Sequence, residues 1–279
     1  MVTTEFTWKT AAGAGIYAVE WKPEGRARGA VALVHGFGEH SRRYDHVAEA
    51  FTKAGYALVG FDLPGFGRSE GKRGCASYAL ILEQIDILLE ETRRRFPGLP
   101  LVLYGHSMGG AAVILHLLER KPALTGAIAT GPLIALAAPV SAPKALLARV
   151  MAGIMPELAL PNPVNAELLS HDPEVGKAYL ADPLVTPMVS TRLGLDIMEL
   201  EGRLLAGAGG LTVPLLLVHG TEDGITDPRA SLRFAETAGA LVTFRPVEGG
   251  FHELHNEPDK EKLFALELAW MEGLAKQAR

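Results

Sequence analysis

Apolar residues recur along this chain in two alternating rhythms, short uninterrupted runs and longer stretches with helical spacing. Ala30-Val31-Ala32-Leu33-Val34 predicts a buried strand that ends at His35-Gly36. A helix from about Tyr44 to Ala54 follows, stopped by Gly55. Ala57 to Phe61 reads as the next strand, and Asp62-Leu63-Pro64-Gly65 closes it. From about Tyr78 to Phe96 the apolar positions Leu82, Ile85, Leu88 and Leu89 mark an amphipathic helix ended by Pro97-Gly98. Leu101–Tyr104 is then a strand, Met108–Arg120 a helix and Ala127–Ala129 a short strand. After a break the rhythm returns: strand Leu215–Val218, helix Arg229–Ala238, strand Val242–Phe244, and a final helix Asp259–Ala275. Strand–helix alternation of this kind predicts an α/β fold with a mostly parallel central sheet flanked by helices on both faces.

The break runs from Gly131-Pro132 to about Val213 and is rich in Pro, Leu and Ala without convincing strands. A helix around Ala145 to Met155 carries Leu146, Leu147, Val150, Met151, Ile154 and Met155, more apolar surface than one buried stripe requires. The expected organisation is a core from 1–131 and 211–279, interrupted by a helical cap at 132–210.

Composition changes this picture little. At 279 residues, with 48% hydrophobic and 21% charged residues, the chain can bury a substantial core. A net charge of -5 argues against nucleic-acid binding. Arg42-Arg43 and Arg93-Arg94-Arg95 read as solvated turn and helix faces. The single Cys75 excludes an intramolecular disulfide framework and fits a reduced, cytoplasmic setting. Its loop, Gly71-Lys72-Arg73-Gly74, offers no base that would make it a nucleophile. Met1 to Phe6 lacks the pattern of a secretory signal, and the prolines and charges of Pro132–Leu160 do not suit a membrane span.

The pattern G-x-S-x-G occurs twice, so a match alone decides nothing. Gly105-His106-Ser107-Met108-Gly109 follows an apolar strand and precedes an apolar helix. Gly67-Arg68-Ser69-Glu70-Gly71 has loop on both sides. A serine nucleophile needs a sharp strand-to-helix turn that exposes its hydroxyl. Ser107 is therefore the candidate nucleophile, and Ser69 a turn residue.

A serine hydroxyl needs a base to take its proton, and the base needs a carboxylate to fix its tautomer. Among nine histidines, His35, His40, His46, His106, His116 and His171 precede the last strands and read as loop, surface or packing residues. His219 ends a strand that can face the site, but it precedes the candidate acids. His252 follows the last strand, where the chain order Ser–acid–His places the base; His255 would point elsewhere. His252-Glu253-Leu254-His255 is one residue short of the H-E-x-x-H zinc motif, so neither a metal nor another cofactor is expected. Glu222, Asp223 and Asp227 all follow the strand Leu215–Val218. Asp227 precedes Pro228 and a helix, which explains it as an N-cap, and Asp223 is the preferred acid. An oxyanion needs two backbone N–H donors. Met108, directly after the nucleophile, and Phe37, in the loop His35-Gly36-Phe37-Gly38, are the candidates.

These residues resemble a known family. His35-Gly36-Phe37-Gly38-Glu39-His40-Ser41-Arg42-Arg43-Tyr44, Asp62-Leu63-Pro64-Gly65-Phe66-Gly67-Arg68-Ser69 and Gly105-His106-Ser107-Met108-Gly109-Gly110 are similar to the monoacylglycerol lipase and lysophospholipase branch of the α/β-hydrolases. His219-Gly220-Thr221-Glu222-Asp223, Gly249-Gly250-Phe251-His252 and, in the cap, Leu169-Ser170-His171-Asp172-Pro173 with Asp182-Pro183-Leu184 extend the likeness over nearly the whole chain after residue 28. The resemblance implies a Ser107–Asp223–His252 triad, oxyanion amides at Phe37 and Met108, and hydrolysis of monoacylglycerols to fatty acid and glycerol. It also implies an apolar cap that shapes an acyl tunnel and makes transient contact with a membrane or micelle, with the enzyme cytoplasmic or peripheral to the membrane. The sequence departs from the family at Phe37, where small residues are common and a bulky ring narrows the acyl or alcohol side. A lysophospholipase or broad carboxylesterase is the alternative. An aminopeptidase would need cap carboxylates for a substrate amine, and no such cluster is legible. Epoxide or halide chemistry would need Asp at position 107. A non-catalytic lipid binder on the same fold would be expected to have lost a triad member.

Overall fold

The computed structural model describes residues 1–138 and 140–277. In chain order the strands are β1 (Val2–Lys9), β2 (Gly15–Lys22), β3 (Gly29–Val34), β4 (Tyr56–Phe61), β5 (Leu101–His106), β6 (Gly126–Thr130), β7 (Ala159–Pro161), β8 (Met188–Ser190), β9 (Leu215–Gly220) and β10 (Val242–Val247). The α-helices are α1 (Asp45–Lys53), α2 (Tyr78–Arg95), α3 (Ser107–Arg120), α4 (Ala142–Ile154), α5 (Pro173–Ala181), α6 (Thr191–Gly207), α7 (Pro228–Ala238) and α8 (Lys260–Gln277). Eight strands form one sheet in the order β1-β2-β4-β3-β5-β6-β9-β10. From β4 to β10 every pairing is parallel, and only β1 and β2 run antiparallel to their neighbours.

Successive side chains of a strand point to opposite faces, so a strand buried on both sides must be apolar at every position. Along β3, Ala30, Ala32 and Val34 enter one core, where α2, α3, α6 and α7 pack; Val31 and Leu33 enter the other, beneath α1 and α8. In β5 the split is Leu101 and Leu103 against Val102 and Tyr104, and in β9 Leu215 and Leu217 against Leu216 and Val218. Removing one such side chain, as in Leu103→Ala, costs roughly 2–5 kcal/mol because the tight interior cannot refill the gap.

Two strands, β1 and β2, precede those that the apolar runs predict. They form an antiparallel hairpin on the sheet edge, with Trp8 against Ile16 in register and Ala18 against Phe61 of β4. Such a hairpin has no crossover helix and so falls outside the strand–helix rhythm. The segment after β6 also differs from a purely helical expectation. β7 and β8 pair as a short antiparallel ribbon between α4 and α6. Helix α6 packs Leu193, Leu200 and Leu204 into the core that α3 shares, whereas α4 buries little beyond Ala152.

Candidate active site

Ser107 opens α3 directly after β5, with a backbone φ of 53° that L-residues rarely adopt. Holding a non-glycine residue there costs about 1–3 kcal/mol, and the surrounding packing maintains it. A Cβ at Gly105 would strike the Gly109 carbonyl, and one at Gly109 would strike the Val34 and His35 carbonyls. Only glycine permits strand and helix to approach this closely around the turn.

The turn points Ser107 Oγ at His252 Nε2, 2.9 Å away. His252 Nδ1 donates to Asp223 Oδ2 at 2.7 Å. All three side chains are buried. Asp223 Oδ1 accepts the Ile225 and Thr226 N–H groups at 2.8 and 2.9 Å, while Thr226 Oγ1 donates to Oδ2 at 2.7 Å. Burial works to raise the pKa of Asp223, but His252 and His219 outweigh it and hold the carboxyl well below the usual range. For His252 burial favours the neutral ring, and the Asp223 carboxylate reverses this, leaving the imidazole more basic than usual. His106, whose ring centroid lies 4.8 Å from that of His252, is pushed down to about 4 by burial and by His252, and so stays neutral beside it.

Asp227 accepts from Arg229 N at 2.9 Å and caps α7, and Glu222 is exposed. Ser69 lies in another place altogether: its hydroxyl donates to Asp62 O at 2.6 Å and accepts Tyr17 N–H at 3.0 Å, joining the loop after β4 to β2. His255 sits among Tyr44, His46 and His106 rings, away from Ser107.

The loop after β3 lies against Ser107, since a Cβ on Gly36 would stand 3.1 Å from Ser107 Cβ. The Gly36–Phe37 segment is fixed on both sides: Gly36 N–H donates to Glu39 Oε1 at 2.6 Å, and Gly36 O accepts His35 Nδ1 at 2.8 Å. Met108 stands in the first turn of α3, where an N–H has no intrahelical acceptor. The Phe37 ring packs edge-on against Phe66, 5.9 Å between centroids, and lines the cavity above Ser107.

That cavity holds about 560 Å³ and reaches from Ser107 and His252 under the inserted segment. Leu133, Val140, Leu160, Val189, Ile197 and Met198 make most of it apolar. Its acids are Glu39 and Glu253, both engaged by Arg43: Nη1 reaches Glu39 at 2.6 Å and Glu253 at 2.7 Å, and Nη2 reaches Glu253 at 2.8 Å. This ion cluster and the second imidazole on Asp223, His219, were not identified from sequence. Arg43 and Glu253 lie 210 positions apart, and only the fold joins them.

The sheet and this arrangement define an α/β-hydrolase, and the chain is a serine hydrolase. It belongs to the family described as "Serine aminopeptidase, S33", whose model matches residues 25–259. A monoacylglycerol lipase of Mycolicibacterium smegmatis is 31% identical over 278 residues, covering 97% of this chain and 99% of that protein. The crystal structure of Paleococcus ferrophilus monoacylglycerol lipase superposes with a TM-score of 0.85 at 34% identity, over 93% of this chain and 99% of that one. An uncharacterized abhydrolase domain-containing protein of Dictyostelium discoideum is 33% identical over 265 residues; the chain spans 93% of itself there but 28% of that longer protein.

Proposed function

We propose that this enzyme hydrolyses monoacylglycerols to fatty acid and glycerol through a Ser107-bound acyl intermediate. The hydrogen-bonded series Ser107–His252–Asp223 at the foot of a mostly apolar cavity carries the reading. As the Ser107 hydroxyl attacks the ester carbonyl, His252 Nε2 takes its proton and Asp223 stabilises the resulting imidazolium. The Phe37 and Met108 N–H groups receive the oxyanion. His252 then gives its proton to the departing glycerol oxygen. Water, activated by the same ring, attacks the acyl-serine and releases the fatty acid.

The relatives named as monoacylglycerol lipases support the substrate, and so does the cavity. Its lining matches an acyl chain, and its only carboxylates among the described residues are occupied by Arg43, which disfavours recognition of a substrate amine. Residues 132–210 act as a cap over this cavity. Helix α4 exposes Leu146, Leu147, Val150 and Ile154 on its outer side, a patch suited to transient contact with a membrane or micelle. Among the described residues no helix is long and apolar enough to cross a membrane. With Cys75 as a free thiol, we place the enzyme in the cytoplasm, peripheral to the membrane.

The test measures hydrolysis of monooleoylglycerol, lysophosphatidylglycerol and a short synthetic ester, with labelling by a serine-reactive phosphonate. Wild type should favour monooleoylglycerol and label at Ser107. Ser107→Ala should lose on the order of 10⁴-fold or more in kcat and all labelling. Unchanged turnover in Ser107→Ala overturns the site, and preference for the lysophospholipid overturns the substrate.

A further inference from the structure

His219, one residue before the end of β9, has its side chain fully buried and both ring nitrogens engaged. Its Nε2 stands 3.1 Å from Asp223 Oδ2, and its Nδ1 stands 2.7 Å from Ser231 Oγ on α7. The same Asp223 oxygen receives His252 Nδ1. One carboxylate oxygen is thus shared between two imidazoles.

The proton positions follow from the partners. An ionised carboxylate only accepts, so the nitrogens facing it carry hydrogen: Nδ1 on His252 and Nε2 on His219. A neutral His219 with hydrogen on Nε2 has a bare Nδ1, which accepts the Ser231 hydroxyl. Every polar atom of this buried ring is then satisfied without burying a second positive charge. Thr226 Oγ1, 3.1 Å from His219 Nε2 and 3.4 Å from His252 Nδ1, closes the group from the same loop.

We infer that His219 is a positioning residue for the proposed reaction, acting through Asp223 by donating to its shared oxygen and drawing off part of the charge that the carboxylate presents to His252. The inference rests on the assignment of Asp223 and His252 made above. Its direct consequence concerns the base. Without the His219 donor, the Thr226 hydroxyl and two backbone N–H groups still hold Asp223 in place, but its oxygen faces His252 with more charge. His252 then keeps its proton to higher pH. The other titratable groups bearing on His252 are Glu253 and Glu39 and the neighbouring rings of His106 and His255, and among the described residues no hydrogen bond joins any of them to His219.

The experiment compares wild type, His219→Leu, His219→Gln and Ser107→Ala by kcat, KM, the acid limb of kcat/KM and the melting temperature. His219→Leu should lower kcat roughly 10-fold, as expected for loss of a hydrogen bond to a charged group. KM should stay within about two-fold, and the acid limb should rise by about half a unit to one unit. His219→Gln, whose amide can donate to Asp223, should recover most of both changes. A purely structural role predicts a lower melting temperature with an unmoved acid limb, and that result overturns the inference. So does a Gln variant as impaired as Leu. Should the Leu variant not fold, histidine ¹⁵N spectra of the wild type decide. Hydrogen on His219 Nε2 is expected at pH 8, and hydrogen on Nδ1 refutes the arrangement. Activity retained by Ser107→Ala would instead defeat the reading of the site itself.

Discussion

Glu267 offers a test in which the magnitude can be worked from its surroundings. It lies on α8, wholly buried, and neither carboxyl oxygen has a hydrogen-bond partner among the described residues. Burial pushes its pKa up to about 8; the Tyr104 hydroxyl, close enough to offset part of this, has no hydrogen-bond partner either among the described residues. An acid whose pKa is raised on folding binds its proton in the folded state over a range where the unfolded chain has lost it. Stability therefore falls as pH rises, from the unfolded value of 4.5 up to about 8, and is level beyond that. The slope is about 1.4 kcal/mol per pH unit, so raising the pH from 5.5 to 9 removes roughly 3 kcal/mol from the wild type through this group. Glu267→Gln has no such proton to lose. In a chain of this size roughly 3 kcal/mol corresponds to about 6–12 °C in melting temperature. Thermal melts at pH 5.5 and 9 should show the variant gaining on wild type by that amount at the higher pH. An equal difference at both values would refute the argument, because a packing effect of the amide does not depend on pH.

Two further outcomes follow from the exposed face of α4 and from the ion cluster. Leu147 and Ile154 are 61% and 71% exposed on α4, so a Leu147→Glu/Ile154→Glu variant should lose most co-sedimentation with phosphatidylcholine vesicles while hydrolysing a short soluble ester at the wild-type rate; undiminished vesicle binding removes α4 from membrane contact. Arg43→Met leaves Glu39 and Glu253 buried without their cation and should destabilise the protein by roughly 3–5 kcal/mol by melting or denaturant titration. Adding Glu253→Leu to it should recover part of that loss, and no recovery would mean that Arg43 stabilises by packing instead.

The parallel core was legible because strands covered on both faces leave runs such as Ala30–Val34 and Leu215–Val218 without polar interruption. The β1–β2 hairpin escaped, although Phe6 and Trp8 alternate with Glu5, Thr7 and Lys9 as a half-covered edge strand should. The ribbon of β7 and β8 is only three residues a side and includes Pro161, too short for a period to register. At the site, local context distinguished the strand–turn–helix setting of Ser107 from the loop setting of Ser69, and the structure puts Ser107 within hydrogen-bond reach of His252 and Ser69 against Asp62 and Tyr17. His219 was visible as a strand-end residue, but its tie to Asp223 depends on how the loop after β9 turns back. The Arg43 cluster had no local signal, since its geometry comes from how the turn before α1 meets the loop between β10 and α8.

Helix α6 belongs by sequence to the inserted region and by packing to the core, and this limits how the region can be exchanged or moved. Leu193, Leu200 and Leu204 are held by the same interior as α3, and Arg149 of α4 reaches Glu199 of α6 at 3.3 Å. A chimaera that transplanted residues 132–210 from a homologue would import a foreign face into the core. Splicing after Ile134 and before Ser190 exchanges α4 and α5 while keeping Leu133 and Ile134, which are buried in that same interior. The same junction marks where a moving roof would have to bend: Ser190 caps α6 through Leu193 N and ties its own N–H to the Gly74 carbonyl at 2.8 Å. Because Ile197 and Met198 of α6 line the cavity together with Val140, Leu160 and Val189, such a swap replaces one part of the cavity wall and leaves the part that α6 contributes.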